Sequence, residues 1–189
     1  MNTEKSTRCS WVNNDPLYIA YHDNEWGIPQ HNSLKLFEKI CLEGQQAGLS
    51  WITVLKKRDE YRRCFFNFNP EKIIQLTTED IELLLQNPGL IRNRLKLNSI
   101  VKNAKAYLTM QSNGEDFSDF IWSFVDGEPI INHYRDLSEV PVSTEISDNM
   151  SKALKKRGFS FVGSTICYAF MQSMGLVNDH FVNCFKKGY

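Results

Sequence analysis

A single carboxylate on an otherwise apolar helix face is the feature that most restricts how this chain can fold. From Leu34 onward, Leu36, Ile40 and Ala47 recur with a 3.6-residue period, and Glu43 falls on their face. A charge there must be paired or must line a cavity, because a buried ion left without its partner costs roughly 3–5 kcal/mol. Gly48 then breaks the pattern, Ser50 is a good N-cap, and Trp51 opens the next helix with Val54, Leu55 and Tyr61 behind it. The stretch from Leu42 to Leu55 thus sets an inward carboxylate before a helix break and a large aromatic plane after it. The residues alone admit two readings: a satisfied Glu beside a core Trp, or a ligand site.

The rest of the chain reads as helices separated by strong breakers. Residues 1–8 read as a frayed tail, and Asp15-Pro16 starts a short helix through Tyr18, Tyr21 and His22. Asn69-Pro70 starts another, and Thr77 with Asp80 three residues on has the form of a capping box. Asn87-Pro88-Gly89 is a turn, after which Ile91 to Met110 is helical, with Leu97, Ile100, Val101, Ala104 and Leu108 on one face. Helix, short glycine-containing turn, helix over about residues 79–110 is the form of a helix-hairpin-helix. Backbone N–H groups at the start of such a second helix can hold a DNA phosphate, and Arg92, Arg94 and Lys96 would add attraction. Any pair of antiparallel helices looks similar, so the pattern does not decide.

Phe117, Phe120, Ile121 and Phe124 are spaced for a core helix. Residues 127–145 read as a long surface loop. A helix from Ser147 ends in Lys155-Lys156-Arg157-Gly158, Phe159 to Gly163 alternates like a very short strand, and Ser164 to Met174 is an apolar helix.

Charge and cysteine usage narrow the class. The 189 residues carry 22 Lys and Arg against 22 Asp and Glu, so a nucleic-acid surface would have to be a local patch. No run approaches a membrane span, and the polar start, Met1 to Arg8, lacks a signal-peptide core. Five cysteines, an odd and sparse set, argue against a disulfide framework and for the cytoplasm.

Two of those cysteines have histidine companions. His180 and Cys184 are spaced i, i+4, as neighbours on one helix face, and Cys9 precedes His22 near the other chain end. Together they make a Cys2His2 set suited to tetrahedral zinc, closed and therefore structural. Buried thiols beside unrelated histidines explain the spacing equally well. His31 and His133, in polar loops, are assigned nothing.

Asp15 to Gly27, Leu42 to Arg58, Leu154 to Phe159, and Asn178-Asp179-His180 resemble the DNA-3-methyladenine glycosylase I family, over about Arg8 to Cys184. The resemblance implies an all-α, single-domain fold of the helix-hairpin-helix DNA glycosylase superfamily. It implies a structural zinc that joins the chain ends through Cys9, His22, His180 and Cys184. Base recognition would fall on Glu43, Tyr21 and Trp51, with Trp11, Tyr18 and Trp26 as pocket walls. Leu49 would plug the gap left in the DNA, with Gly48, Gly89, Arg92 and Lys155 at the DNA-contacting surface. The implied reaction is hydrolysis of the N-glycosidic bond of 3-methyladenine in double-stranded DNA, by a monomer that leaves an abasic site.

The chain departs from most of the superfamily in one respect. Met110 to Ser112 stand where a catalytic Asp is usual, and Asp116 and Asp119 read as capping or solvated residues. A cationic methylated base needs no acid to leave, which suits that absence. Two rivals are a non-catalytic zinc-stabilised DNA-binding module and a glycosylase of broader range. An inward carboxylate facing a stacking Trp has no use in the first, and the polar Glu43/Tyr21 pair favours a narrower substrate than the second.

Overall fold

The computed structural model describes residues 7–188. Helix α2 (Ser33–Gln46) is the centre of the molecule. It packs against α3 (Trp51–Cys64), α6 (Arg94–Ser112), α7 (Phe117–Trp122) and α9 (Ser164–Ser173). Leu36, Phe37, Ile40, Cys41 and Leu42 are all buried, and so are the polar residues Lys39, Glu43 and Gln45. On the sides so enclosed, a charge has no solvent to which it can turn. Around it lie α1 (Pro16–Asn24), the short α4 (Pro70–Ile73) and α5 (Thr78–Leu84), and α8 (Glu145–Lys156), which packs on α9.

Local chemistry sets the helix starts. Asp15 accepts from Leu17 N with Pro16 in the first turn, Asn32 accepts from Lys35 N, and Thr77 and Asp80 form the reciprocal capping box. Helix α6 begins at Arg94 rather than Ile91, because the Asn93 side chain takes the Lys96 N–H and leaves Ile91 and Arg92 in the turn. Ser50 precedes α3 without a side-chain capping bond; its hydroxyl pairs with Thr53 instead.

The hairpin of α5, turn and α6 is docked on the C-terminal end of α2. Gln45 donates to the Lys96 carbonyl (2.9 Å), and the Lys96 ammonium donates to the carbonyls of Gln45 (2.9 Å) and Ala47 (2.6 Å). Lys96, expected to attract phosphates, is therefore buried, a cation on the negative end of a helix. Arg94, expected in the same role, pairs with Glu82. Tyr61 of α3 completes the joint, donating to Gln45 and accepting from Ile91 N.

Four further expectations change. The all-α reading misses a two-residue parallel pairing of β1 (Ile130–Ile131) with β2 (Val177–Asn178), which pins part of the supposed loop 127–145. Phe159 to Gly163 forms no strand: Phe161 has φ +56°, and both backbone polar groups of Ser160 are held by the Asn103 amide. Residues His180 to Cys184 run through turns, not a helix, so the i, i+4 argument fails although the residues still meet. Residues 1–6 of the expected tail lie outside the described residues, but Arg8 is anchored by three hydrogen bonds to Asp23 (2.8, 3.0 and 2.7 Å). No helix among the described residues is long and apolar enough to cross a membrane.

Gly175, just past α9, has φ +75°, and a Cβ there would sit 2.4 Å from Pro29 N. Gly127 has a similar φ of +81° with open space around it. Gly127→Ala should cost about 1–2 kcal/mol of unfolding free energy, the left-handed backbone penalty alone. Gly175→Ala should cost at least about 2 kcal/mol more, because backbone must move as well. Urea unfolding of the two variants checks this, and equal losses would remove the contact argument.

Candidate active site and metal-ligand cluster

A cavity of about 300 Å³ opens between α1, α2, α3 and α9. Tyr18 and Tyr21 reach it from α1, flanked by Trp11 and Trp26; Glu43 comes from the last turns of α2 and Trp51 from the first residue of α3. The helix break at Gly48, with φ +77°, turns the chain so that Glu43 and Trp51 face one space. The rings form a continuous wall, with centroids 4.9 Å apart for Trp11 and Trp26, 5.1 Å for Trp11 and Tyr18, and 5.6 Å for Tyr21 and Trp51. All six residues expected at the pocket are therefore brought together.

Two atoms in this aromatic setting are unusual. Glu43 Oε2 and Trp51 Nε1 are buried with no hydrogen-bond partner among the described residues. Each orphan costs roughly 1–3 kcal/mol, so a fold keeps them only where something else completes them. Glu43 is 2% exposed. Burial pushes its carboxyl pKa up, and the nearby Lys39 ammonium and Ser173 oppose that shift. A flat ligand with a hydrogen-bond donor fits an aromatic slot with one free acceptor.

Lys39 is the residue that sequence reasoning missed. One turn before Glu43 on α2, it is 6% exposed. Its ammonium lies 2.6 Å from the Tyr21 hydroxyl, 3.6 Å from Glu43 Oε1 and 3.7 Å from the centroid of the Trp51 ring. Burial drives its pKa down to about 8, and the charges of Glu43 and Glu25 resist. The available signal was its i, i+4 spacing to Glu43, which puts both on the same helix face. Asp179 and Phe181 also line the cavity unannounced, as do Leu137 and Val140 from the 127–145 segment. Asp179 is buried and accepts from Tyr168 (2.5 Å), Gln172 (3.0 Å) and Asn132 (2.7 Å).

Behind the aromatic wall, Cys9, His22, His180 and Cys184 converge. Their ligand atoms all lie within 4.8 Å of one another, and all four residues are buried. Cys184 Sγ is 3.5 Å from His22 Nε2 and 3.5 Å from His180 Nδ1, and Cys9 Sγ is 3.6 Å from His180 Nδ1. The edge of a tetrahedron with metal–sulfur near 2.3 Å and metal–nitrogen near 2.0–2.1 Å is about 3.5–3.6 Å, so the spacing fits a metal ion. The outward ring nitrogens are also placed as ligands require: His22 Nδ1 meets Asp23 (2.8 Å) and His180 Nε2 meets the Trp26 carbonyl (3.2 Å). Arg8 in turn holds Asp23.

The residues expected on the DNA side are at the surface. Leu49 is 42% exposed, an apolar side chain directly after Gly48, and Gly48 has open space around it. Arg92 and Lys155 are exposed. The Gly89 N–H donates to the Asn87 side chain (2.8 Å). The N–H groups of Arg92, Arg94 and Leu95 are the ones that lack an acceptor among the described residues.

Comparison with known proteins is consistent over nearly the whole chain. The methyladenine glycosylase family model matches residues 11–187. The DNA-3-methyladenine glycosylase 1 of Escherichia coli (strain K12) is 63% identical over 177 residues, covering 94% of this chain and 95% of that protein. A crystal structure of 3-methyladenine DNA glycosylase I superposes with a TM-score of 0.94 at 63% identity, covering 95% of this chain and 99% of that one. A variant of such an enzyme, crystallised in complex with 3-methyladenine, matches with a TM-score of 0.91 at 39% identity, covering 95% and 97% of the two chains. With a family model spanning all but the ends and relatives of this identity, the chain belongs to the methyladenine glycosylase family.

Proposed function

We propose that this protein excises 3-methyladenine from alkylated double-stranded DNA by hydrolysing its N-glycosidic bond. The observation that carries the reading is the buried, partly unsatisfied Glu43 carboxylate in an aromatic cavity, in a chain that belongs to this family. The base has to leave the stack to reach such a site, at a cost of a few kcal/mol. Trp51 then stacks on it, on the ring face that Lys39 does not cover, while Tyr18, Trp11 and Trp26 wall the slot.

Methylation at N3 makes the base cationic. Cleavage of the bond from C1′ to N9 therefore sends the bonding pair to a base that departs neutral, and no general acid is required. Water adds its oxygen to C1′ and gives its proton to solvent, leaving an abasic site. Glu43 accepts from the 6-amino group, and its negative charge complements the cationic base and the sugar cation that forms as the bond breaks. No lysine serves as a nucleophile in this scheme, because the Lys39 ammonium is engaged with Tyr21 and Glu43.

DNA is held at the docked hairpin. The unpaired N–H groups of Arg92, Arg94 and Leu95 and the Arg92 side chain face a phosphate, with Lys155 as a further cation. Gly89 shapes the turn rather than binding. Leu49, presented by the Gly48 break, fills the space that the flipped base vacates. The enzyme works as a single-domain monomer in the cytoplasm. Zinc is the ion that the Cys9, His22, His180 and Cys184 set suits, with four protein ligands and no open position, so its role is structural.

Two outcomes are expected. Glu43→Gln keeps the shape but sets an NH2 donor against the 6-amino group, so excision of 3-methyladenine should slow roughly 5- to 150-fold while folding and zinc are retained. Release of labelled base from methylated DNA measures this, and a wild-type rate would make Glu43 purely structural. Purified protein should carry about one zinc per chain, and Cys184→Ala should lose the metal and lower the melting temperature together. Stoichiometric zinc retained in a Cys9→Ala/His180→Ala protein, read by elemental analysis, would refute the assignment.

A further inference from the structure

We propose that Lys39 is a positioning residue that sets the hydrogen-bond polarity of the base pocket and so selects 6-amino over 6-oxo purines. This rests on the reading of the cavity as a methylated-base site.

The neighbours of the Lys39 ammonium are the base-recognition residues themselves. It touches the Tyr21 hydroxyl at 2.6 Å, faces Glu43 Oε1 at 3.6 Å and lies 3.7 Å from the centre of the Trp51 ring. An ammonium has three donors and no acceptor. The Tyr21 oxygen must therefore accept from Lys39, and its own proton has to be given elsewhere. No acceptor for that proton exists among the described residues, so Tyr21, which lines the cavity, is left as a donor to whatever binds there. The same ammonium stabilises the ionised form of Glu43, which carries no proton and can only accept. Glu43 Oε2 is the atom still without a partner.

One donor and one acceptor at the same corner match the edge of a 6-aminopurine, which offers an N–H at position 6 and a lone pair at N7. A 6-oxopurine presents lone pairs at both positions and sets its carbonyl oxygen against a carboxylate. Without the ammonium, a buried Glu43 takes up a proton and can donate to O6, and the phenol is free to turn. Discrimination between the two bases would then relax.

The experiment uses full-length protein and methylated duplex DNA containing both 3-methyladenine and 3-methylguanine. Excision of 3-methyladenine by the wild type tests the underlying reading separately, because its absence would remove that reading before Lys39 is considered. In Lys39→Met, the ratio of kcat/KM for 3-methyladenine over 3-methylguanine should fall about tenfold or more. Lys39→Arg, which keeps a donor-only cation, should restore most of the ratio. A merely structural lysine would slow both excisions together and leave the ratio unchanged, which would overturn the proposal. If Lys39→Met does not fold, the wild type decides. Free 7-deaza-3-methyladenine, which lacks the N7 acceptor, should bind about tenfold more weakly than 3-methyladenine, whereas equal affinities would show that Tyr21 is not a fixed donor.

Discussion

The burial of the Glu43 carboxylate is the constraint on which the rest of the structure depends. Its helix is covered by α3, α6, α7 and α9, and the side chain itself is 2% exposed. Removing a partner from a buried charge costs roughly 3–5 kcal/mol, and Lys39 one turn earlier supplies the compensation. The compensation is incomplete: Oε1 faces the ammonium, and Oε2 makes no hydrogen bond. A stable core would replace such a pair with apolar side chains. Its retention at the wall of an aromatic cavity is intelligible when a polar, planar ligand donates to the free Glu43 oxygen.

The metal-ligand cluster extends that constraint to the chain ends. Trp11 follows Cys9 by two residues, Tyr21 adjoins His22, and Asp179 and Phe181 flank His180, so much of the pocket wall is carried by backbone next to the four clustered Cys and His residues. The contacts agree: the Trp11 ring lies 5.3 Å from His22, and the Trp26 ring 4.7 Å from His180 at nearly a right angle. The segment after His180 lacks regular secondary structure, and backbone pairing alone would leave it poorly fixed. A metal ion held by these four residues would tie these turns together and keep the aromatic slot at one width.

Much of this was legible from residue order because it is local. Helix starts at Pro16, Pro70 and Thr78 follow from caps, and the Glu43–Trp51 relation follows from a period and one glycine break. The Cys and His residues were found by type, although their meeting depends on turns rather than on the helix expected for His180 to Cys184. The illegible parts are non-local. Lys39 received no reading and Lys96 was expected to attract phosphates, because nothing in sequence reveals that one meets Tyr21 and the other the carbonyls of Gln45 and Ala47. The β1–β2 pairing joins segments about 47 positions apart with two residues each, too short to leave an alternation pattern. Asp179 was given no role from the sequence, and only the fold brings it to the cavity wall.

The most direct measurement is the identity of what the protein releases from methylated double-stranded DNA. Incubation followed by chromatographic separation of free bases, with the DNA strands analysed in parallel, reads both halves of the reaction. The account predicts free 3-methyladenine, an abasic site at the same position and an unbroken strand. DNA binding with no base released, or a strand cut opposite an intact base, would contradict it.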